Sequence, residues 1–321
     1  IGYVAFDANT TGANNVAVGT SALGANTTGG DNVAVGYQAL KANTTGTLNV
    51  AVGMNAVDAN TTGDKNTGIG QGALSSNTTA DNNTAVGFAS LNANTTGTEN
   101  TAVGASSLDA NTTSSYNTAL GAGALGANTG SNNTGLGRNA LNVHSSGNNN
   151  TAVGKDALVA STTAANNTAV GLLAGGATTT GHRNTVMGSY AHDACTVGRY
   201  NTVMGFEALT TDIDGDYSTA IGYGALAAQE SDSANQSVLN TAVGANAGVA
   251  LTTGTWNTLI GAYAGGSGAI TGNFNTCLGY TSGYALTGGA NNLFLGTDAG
   301  RTGSPGGNIT TGSNEIVLGD E

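Results

Sequence analysis

The sequence predicts an all-β fold, a parallel β-solenoid with coils of about 17 residues. The phrase Asn-Thr-Ala-Val-Gly, or a close variant, returns every 17 residues along most of the chain. Among 321 residues there are 53 glycines, and only 8% of the residues are charged, so helix-forming Glu, Lys and Arg are scarce. A fixed repeat without helix formers is typical of stacked β coils, in which each coil contacts only its neighbours.

The repeat unit reads roughly N-T-A-V-G-x-x-A-L-x-A-N-T-T-G-x-x. Copies begin at Asn15, Asn32, Asn49, Asn66, Asn83, Asn100, Asn117, Asn133, Asn150, Asn167, Asn184, Asn201, Ser218, Asn240, Asn257, Asn275, Asn292 and Glu315. We therefore predict a regular solenoid over residues 1–222. Residues 223–321 are predicted to continue it with irregular coils and a loop insertion near 229–239, because the step between copies is longer there.

The first predicted element of each unit is a short strand, Thr-Ala-Val. The fourth position of the unit is apolar in every copy, and alternation places the second position on the same face. We predict that this face points inward and that its residues stack as core columns. These columns include Val18, Val35, Val52, Val86 and Val103. The alanine between these two positions would then face outward, where a constant small residue indicates close approach by another group, for example a neighbouring chain.

The next elements are a bend, a second short strand and a turn. Glycine follows the first strand in every unit, as at Gly19, and predicts a backbone bend or a positive φ. In the Ala-Leu pair that follows, Leu23 and Leu40 are predicted to form a second inward column. Residues 26–29, Asn-Thr-Thr-Gly, have the composition of a turn. About eighteen such coils, stacked at the interstrand spacing of about 4.8 Å, would form a rod of roughly 85–90 Å.

The acidic balance disfavours two classes of partner. The formal net charge is −12 and only seven residues are Lys or Arg, which disfavours nucleic acid and anionic membranes as partners. No apolar run approaches about 18 residues, so no membrane insertion is predicted. Cys195 and Cys277 lie several coils apart, too far for a disulfide. The chain opens with Ile1-Gly2, the end of a repeat unit, and is expected to be a piece of a longer protein.

The sequence predicts no enzyme, metal site or cofactor. Every Ser and Thr has many equivalent copies, whereas catalysis needs one singular set of groups. His144, His182 and His192 lack partners at ligand spacing and are expected at the surface. Residues 212–216, Asp-Ile-Asp-Gly-Asp, resemble half of a calcium-binding loop. Tyr223 stands where that loop would need a bidentate Glu.

Aromatic residues are concentrated in the second half of the chain. Tyr223, Tyr263 and Tyr280 follow a bend glycine directly or nearly so, and together with Trp256 they are the predicted receptor-binding residues. An exposed aromatic row could stack on the sugars of a host-surface glycan. Alternatively, these rings could pack between the chains of a trimer. The polar segment 229–236 is a further candidate for binding, although a simple solvent-exposed loop explains it as well.

The units at residues 83–87 and 100–104 resemble the head repeats of YadA-like trimeric autotransporter adhesins, whose usual repeat is slightly shorter. The 17-residue unit is more similar to the tail-fibre shafts of phages, cyanophages especially. Residues 292–319 resemble the segment that precedes a peptidase S74-type chaperone domain, which this sequence does not contain. The resemblance implies a left-handed β-roll, a homotrimer, and a location in a virion or on an extracellular surface.

Three functional hypotheses follow. The first is a viral tail fibre that forms a rigid rod for attachment to a host cell surface through a glycan or a protein. The alternative is a bacterial trimeric surface adhesin. The third is an ice-binding solenoid, in which stacked threonines form a regular array. Against the third hypothesis, the Thr-Thr pair of each unit lies in a turn rather than in a strand.

Overall fold

A computed structural model describes residues 1–231, 233, 236–266, 268–304 and 306–319. Over this range the chain contains no helix and folds as a parallel β-solenoid. It divides into two compact units, Ile1–Asp156 and Ala157–Glu321, each with nine three-residue strands. The first unit contains β1 (Val16–Val18), β2 (Val33–Val35), β3 (Val50–Val52), β4 (Thr67–Ile69), β5 (Thr84–Val86), β6 (Thr101–Val103), β7 (Thr118–Leu120), β8 (Thr134–Leu136) and β9 (Thr151–Val153). The second contains β10 (Thr168–Val170), β11 (Thr185–Met187), β12 (Thr202–Met204), β13 (Thr219–Ile221), β14 (Thr241–Val243), β15 (Thr258–Ile260), β16 (Thr276–Leu278), β17 (Leu293–Leu295) and β18 (Ile316–Leu318).

Equivalent residues of successive coils lie opposite one another, as the repeat predicts. In the first unit Val18 pairs with Val35, and Val35 pairs with Val52, in parallel ladders. In the second unit the longer step still places Thr219 opposite Thr241, so the extra residues lie outside the ladder. Part of the insertion predicted near 229–239, namely residues 232, 234 and 235, lies outside the described residues.

The predicted inward face of the strands is wrong. Ala34, Ala51 and Ala102, at the centre of their strands, are fully buried. By contrast, Val18 is 38% exposed. The other valines predicted in the core are half-buried on the outer face of the sheet, and these are Val35, Val52, Val86 and Val103.

The thinness of the coil explains the inversion. A Cβ placed on Gly68, a glycine at the strand centre, would lie 3.1 Å from the carbonyl oxygen of Ala73 in the opposite segment of its own coil. At Gly135 the corresponding distance to the Ala140 oxygen is 3.2 Å. In these two coils the interior therefore has room for little more than the methyl group of an alanine, while the larger flanking side chains point outward.

The predicted leucine column is confirmed, but the predicted second strand is not present. Leu23 and Leu40 are fully buried. Their φ angles of 51° and 49° belong to the left-handed region, which does not extend into a strand. Such a residue costs roughly 1–2 kcal/mol. Burial of the leucine, and a 3.0 Å hydrogen bond from the Leu23 amide to the Ala39 oxygen of the next coil, offset this cost.

The bend glycine has the predicted backbone conformation. Gly19 and Gly36 have φ angles of 133° and 140°. A Cβ on Gly104 would lie 2.6 Å from the carbonyl carbon of Gly121 in the next coil. Each coil therefore needs glycine here both for the positive φ and for the close approach of its neighbour.

Asparagine side chains form two internal ladders. Asn43 Nδ2 donates to Asn26 Oδ1 at 2.8 Å and to the Gly46 oxygen at 3.0 Å. In the other ladder the backbone amide of Asn49 donates to Asn32 Oδ1 at 2.9 Å. All four asparagines are fully buried. Their constant spacing along the repeat therefore has a structural cause, since each asparagine side chain bonds backbone groups that the turns leave unpaired.

In the second unit, a larger core residue at one position of a coil is matched by a smaller one at another position of the same coil. In most coils the strand centre is small and the turn contributes a leucine. In two late coils the order is reversed, because Leu259 is paired with Gly265 and Phe294 with Gly300. A Cβ on Gly265 would lie 2.9 Å from Leu259 Cδ2. The large residue therefore moves from the turn to the strand while the interior stays filled.

A similar packing contact, between adjacent coils, makes a testable pair in the first unit. A Cβ on Gly68 would lie 2.5 Å from Cγ2 of Val57, which replaces the usual leucine and has a φ of 51°. We expect Gly68→Ala to destabilise the protein by about 1–3 kcal/mol through overpacking. In the Val57→Leu background the same change should cost much less, because the pair then matches the ordinary Leu-and-Ala combination. Denaturant unfolding of the four proteins in a double-mutant cycle measures this coupling.

Gly135 supplies the matched control for this cycle. It occupies the same strand position, but a Cβ there would lie 3.2 Å from Leu125 Cγ. Gly135→Ala is expected to cost clearly less than Gly68→Ala. Equal costs at the two sites, or no coupling with position 57, would contradict the packing described here.

Candidate functional site

The outer face of the strands carries an uncharged apolar surface. Its main feature is the outer apolar column, formed by the last residue of each strand, and none of these residues is fully buried. In the first unit the column consists of Val18, Val35, Val52, Ile69, Val86, Val103, Leu120, Leu136 and Val153; in the second it consists of Val170, Met187, Met204, Ile221, Val243, Ile260, Leu278, Leu295 and Leu318. Since parallel sheets are normally covered on both faces, this apolar column is the candidate partner-binding surface of the chain.

A second column runs beside it at the first residue of each strand. In the first unit it begins with Val16, which is 47% exposed, and continues with threonine from β4 to β9; in the second unit threonine occupies this position from β10 to β16. The threonine column therefore lies parallel to the outer apolar column on the same face of the sheet. Sequence reasoning placed both columns inside the coil, so it found the residues of this surface but assigned them the opposite role.

The structure does not bring the four predicted receptor-binding residues into one row. Tyr223 follows a bend glycine and stacks on Phe206, with ring centroids 5.9 Å apart. Trp256 lies at another corner, just before its strand, and stacks on Phe274 at 6.0 Å. Tyr223 and Trp256 are thus separate surface features, each supported by an aromatic residue of a neighbouring coil.

Tyr263 and Tyr280 do come together. With Thr281, Tyr284 and Arg301 they line an open cleft of about 360 Å³, which we call the tyrosine cleft. Tyr263 is 41% exposed and Tyr280 is 54% exposed. They come from adjacent coils of the second unit, and this explains why residues far apart in sequence share one site.

Polar groups order one wall of this cleft. Asp298 Oδ1 accepts hydrogen bonds from Thr281 Oγ1 at 2.5 Å and from Arg301 Nη1 at 2.9 Å. These two donors lower the pKa of Asp298 from its usual value. The guanidinium carbon of Arg301 lies 4.9 Å from the centre of the Tyr284 ring. Sequence reasoning missed Arg301 and Tyr284, although the 17-residue step between Thr281 and Asp298 could have revealed the polar pair.

The acidic turn at residues 212–216 is organised by hydrogen bonds. Asp212 is fully buried and accepts from Gln229 Nε2 at 2.6 Å and from the Gly215 amide at 3.1 Å. Burial raises the pKa of Asp212. Within the described ranges, no group of three or more His, Cys, Asp or Glu side chains is arranged to hold a metal ion.

Two of the three histidines are not at the surface, contrary to expectation. His144 and His192 are fully buried. His144 stands at the ladder position of Asn26, and its Nε2 lies 2.8 Å from the Gly147 oxygen. His192 stands at the inward position of Leu23. Aligning each histidine to the repeat unit, rather than judging it by residue type, would have placed both of them inside.

Cys195 and Cys277 are buried free thiols. Burial raises the pKa of Cys277 to about 12. A thiol with so high a pKa is not a nucleophile near neutral pH, so this side chain acts as a small apolar core residue.

The described part of the chain contains no helix long and apolar enough to cross a membrane. Comparisons of this chain with protein families, with curated proteins and with solved structures find no match.

Proposed function

We propose that this chain is a structural and adhesive fibre protein that assembles as a homotrimer through its outer apolar column. The observation that carries the proposal is the apolar residue at the outward end of every strand, on a parallel sheet face that the chain itself leaves uncovered. A second copy is the occupant that fits best. A partner with the same coil spacing can oppose one apolar residue to each coil along the column of either unit.

The fibre role is supported by the repetition itself. Coils that copy one another generate a rigid scaffold, and the buried asparagine ladders and leucine column repeat with them. We propose a viral tail fibre, located in the virion and attaching to a host cell surface. A bacterial trimeric adhesin on the cell surface would use the same assembly, and it is the alternative.

The mass of the protein in solution tests the assembly. At micromolar concentration we expect three times the 31.0 kDa of one chain. Replacing two neighbouring column residues, Val86→Asp and Val103→Asp, should yield the mass of a single chain, because the carboxylates would be desolvated between chains. Circular dichroism should show that the β structure of the variant remains.

The double variant Thr96→Asp and Thr113→Asp is the matched control, because it adds the same two charges to the same two coils, at exposed turn residues away from the column. This variant should keep the wild-type mass. A wild-type mass of one chain at micromolar concentration would rule out the homotrimer.

One observation favours a second candidate function, ice binding. Threonines do line the strands, in the column from β4 to β16, and not only the turns. A regular outward threonine array is what an ice-binding face requires. A protein that remains a single chain and shows thermal hysteresis, lost on Thr101→Tyr, would support this candidate over the fibre.

A further inference from the structure

We propose that the tyrosine cleft binds a neutral saccharide, with one sugar ring stacked on Tyr280 or Tyr263 and its hydroxyl groups bonded to Asp298 and Arg301. The inference goes beyond the fibre role and does not depend on the number of chains in the assembly. It names a site, a class of ligand and the role of each side chain.

The exposed tyrosines provide the stacking surface. Tyr280 and Tyr263 are 54% and 41% exposed, so both rings remain available to a ligand. The faces of a hexopyranose ring carry C–H groups, which pack favourably against the electron-rich face of an aromatic ring. The cleft volume of about 360 Å³ is at the lower end of the range of small-molecule sites, roughly 300–1,000 Å³, which suits a single sugar unit.

The ion pair provides the hydrogen-bonding groups. The side chains of Asp298 and Arg301 are 39% and 47% exposed. A carboxylate accepts and a guanidinium donates, so together they can engage neighbouring hydroxyl groups of a sugar. The pair has no net charge, and the chain has a net charge of −12. Both facts favour a neutral ligand over an anionic one.

The wall of the cleft is preorganised. The ring of Tyr284 lies against the backbone of Gly266, where a Cβ would come within 2.5 Å of it, and Arg301 covers the same ring. Thr281 is β-branched, has a φ of 50° and is 4% exposed. A β-branched residue in the left-handed region is strained, and such strain persists where the surroundings hold it in place. Here it holds the Thr281 hydroxyl against Asp298, which reduces the ordering cost of binding.

Binding to immobilised neutral oligosaccharides ending in mannose, glucose or galactose tests the proposal, with sialylated oligosaccharides as the anionic comparison. We expect the wild-type protein to bind at least one neutral set. Tyr280→Ala and Arg301→Ala should each weaken that binding at least 10-fold. The matched control is Tyr37→Ala, because Tyr37 also follows a bend glycine and is 50% exposed but lies outside the cleft.

Each outcome bears on the proposal. Binding that is lost with the cleft variants and kept with Tyr37→Ala supports it. No binding to any neutral set, binding to the sialylated set alone, or equal losses in all three variants would overturn it. The mass of every sample is measured in parallel, so a failure of the homotrimer is separated from a failure of the sugar site.

Discussion

Ala102→Asp is expected to destabilise the protein by about 3–5 kcal/mol, and on that scale to unfold much of it. Ala102 is the centre of β6 and is fully buried. An aspartate there would place a carboxylate in an apolar interior without a partner, and the narrow coil has no room to turn it toward water. Thermal or denaturant unfolding, followed by far-UV circular dichroism, measures the loss.

Ala105→Asp is the control, since Ala105 is an exposed alanine in the bend that follows the same strand. It should change the free energy of unfolding by less than about 0.5 kcal/mol. If the two variants had equal effects, the burial of the strand centre would be refuted. A stable Ala102→Asp protein would instead support the opposite orientation, in which the first and last residues of the strand face the core.

His192→Leu is expected to stabilise the protein, and to do so most strongly at acidic pH. His192 is fully buried, its Nδ1 has no hydrogen-bond partner, and burial lowers its pKa to about 4. In the unfolded chain a histidine has a pKa of about 6.5. The unfolded state therefore binds the proton first, and stability is lost as the pH falls from about 6.5 to about 4, by roughly 3 kcal/mol in total.

Replacing His192 with leucine removes this loss of stability at acidic pH. Leu209, one coil later, shows that the interior accepts a leucine beside a valine at the strand centre. The difference in unfolding free energy between variant and wild type should grow as the pH falls from 7 to 4. This difference isolates position 192, because His144, Asp193 and Asp212 are common to both proteins. Tyr190→Leu, a change at a half-buried residue of the same coil that removes no histidine, serves as the control and should leave the pH dependence of the wild type in place.

A pH profile parallel to that of the wild type would show that His192 is solvated in the folded protein. The result would also bear on the register of the coil, since His192 is inside only because it occupies the leucine position of its unit.

The candidate site illustrates what the repeat can and cannot predict. Tyr263 and Tyr280 were predicted because they follow a bend glycine, and the fold brings them together. Tyr223 and Trp256 were predicted with them, but they lie at different corners of the coil, where Phe206 and Phe274 support them. The position of a residue within the repeat unit predicts the corner of the coil at which it lies. Whether several residues share a cleft also depends on which residues occupy the adjacent coils.

The sequence by itself determined the solenoid, the 17-residue register, the bend glycines and the buried leucine column. These follow from a constant spacing, because identical coils can bury their apolar residues only by stacking in register. Only the tertiary structure decided which face of the strand points inward. Alternation divides Thr-Ala-Val into two faces but does not say which one is inside. That choice depends on how the two sides of the coil share its interior: beside the leucine of the turn there is room for an alanine in most coils, and for a valine at Val203.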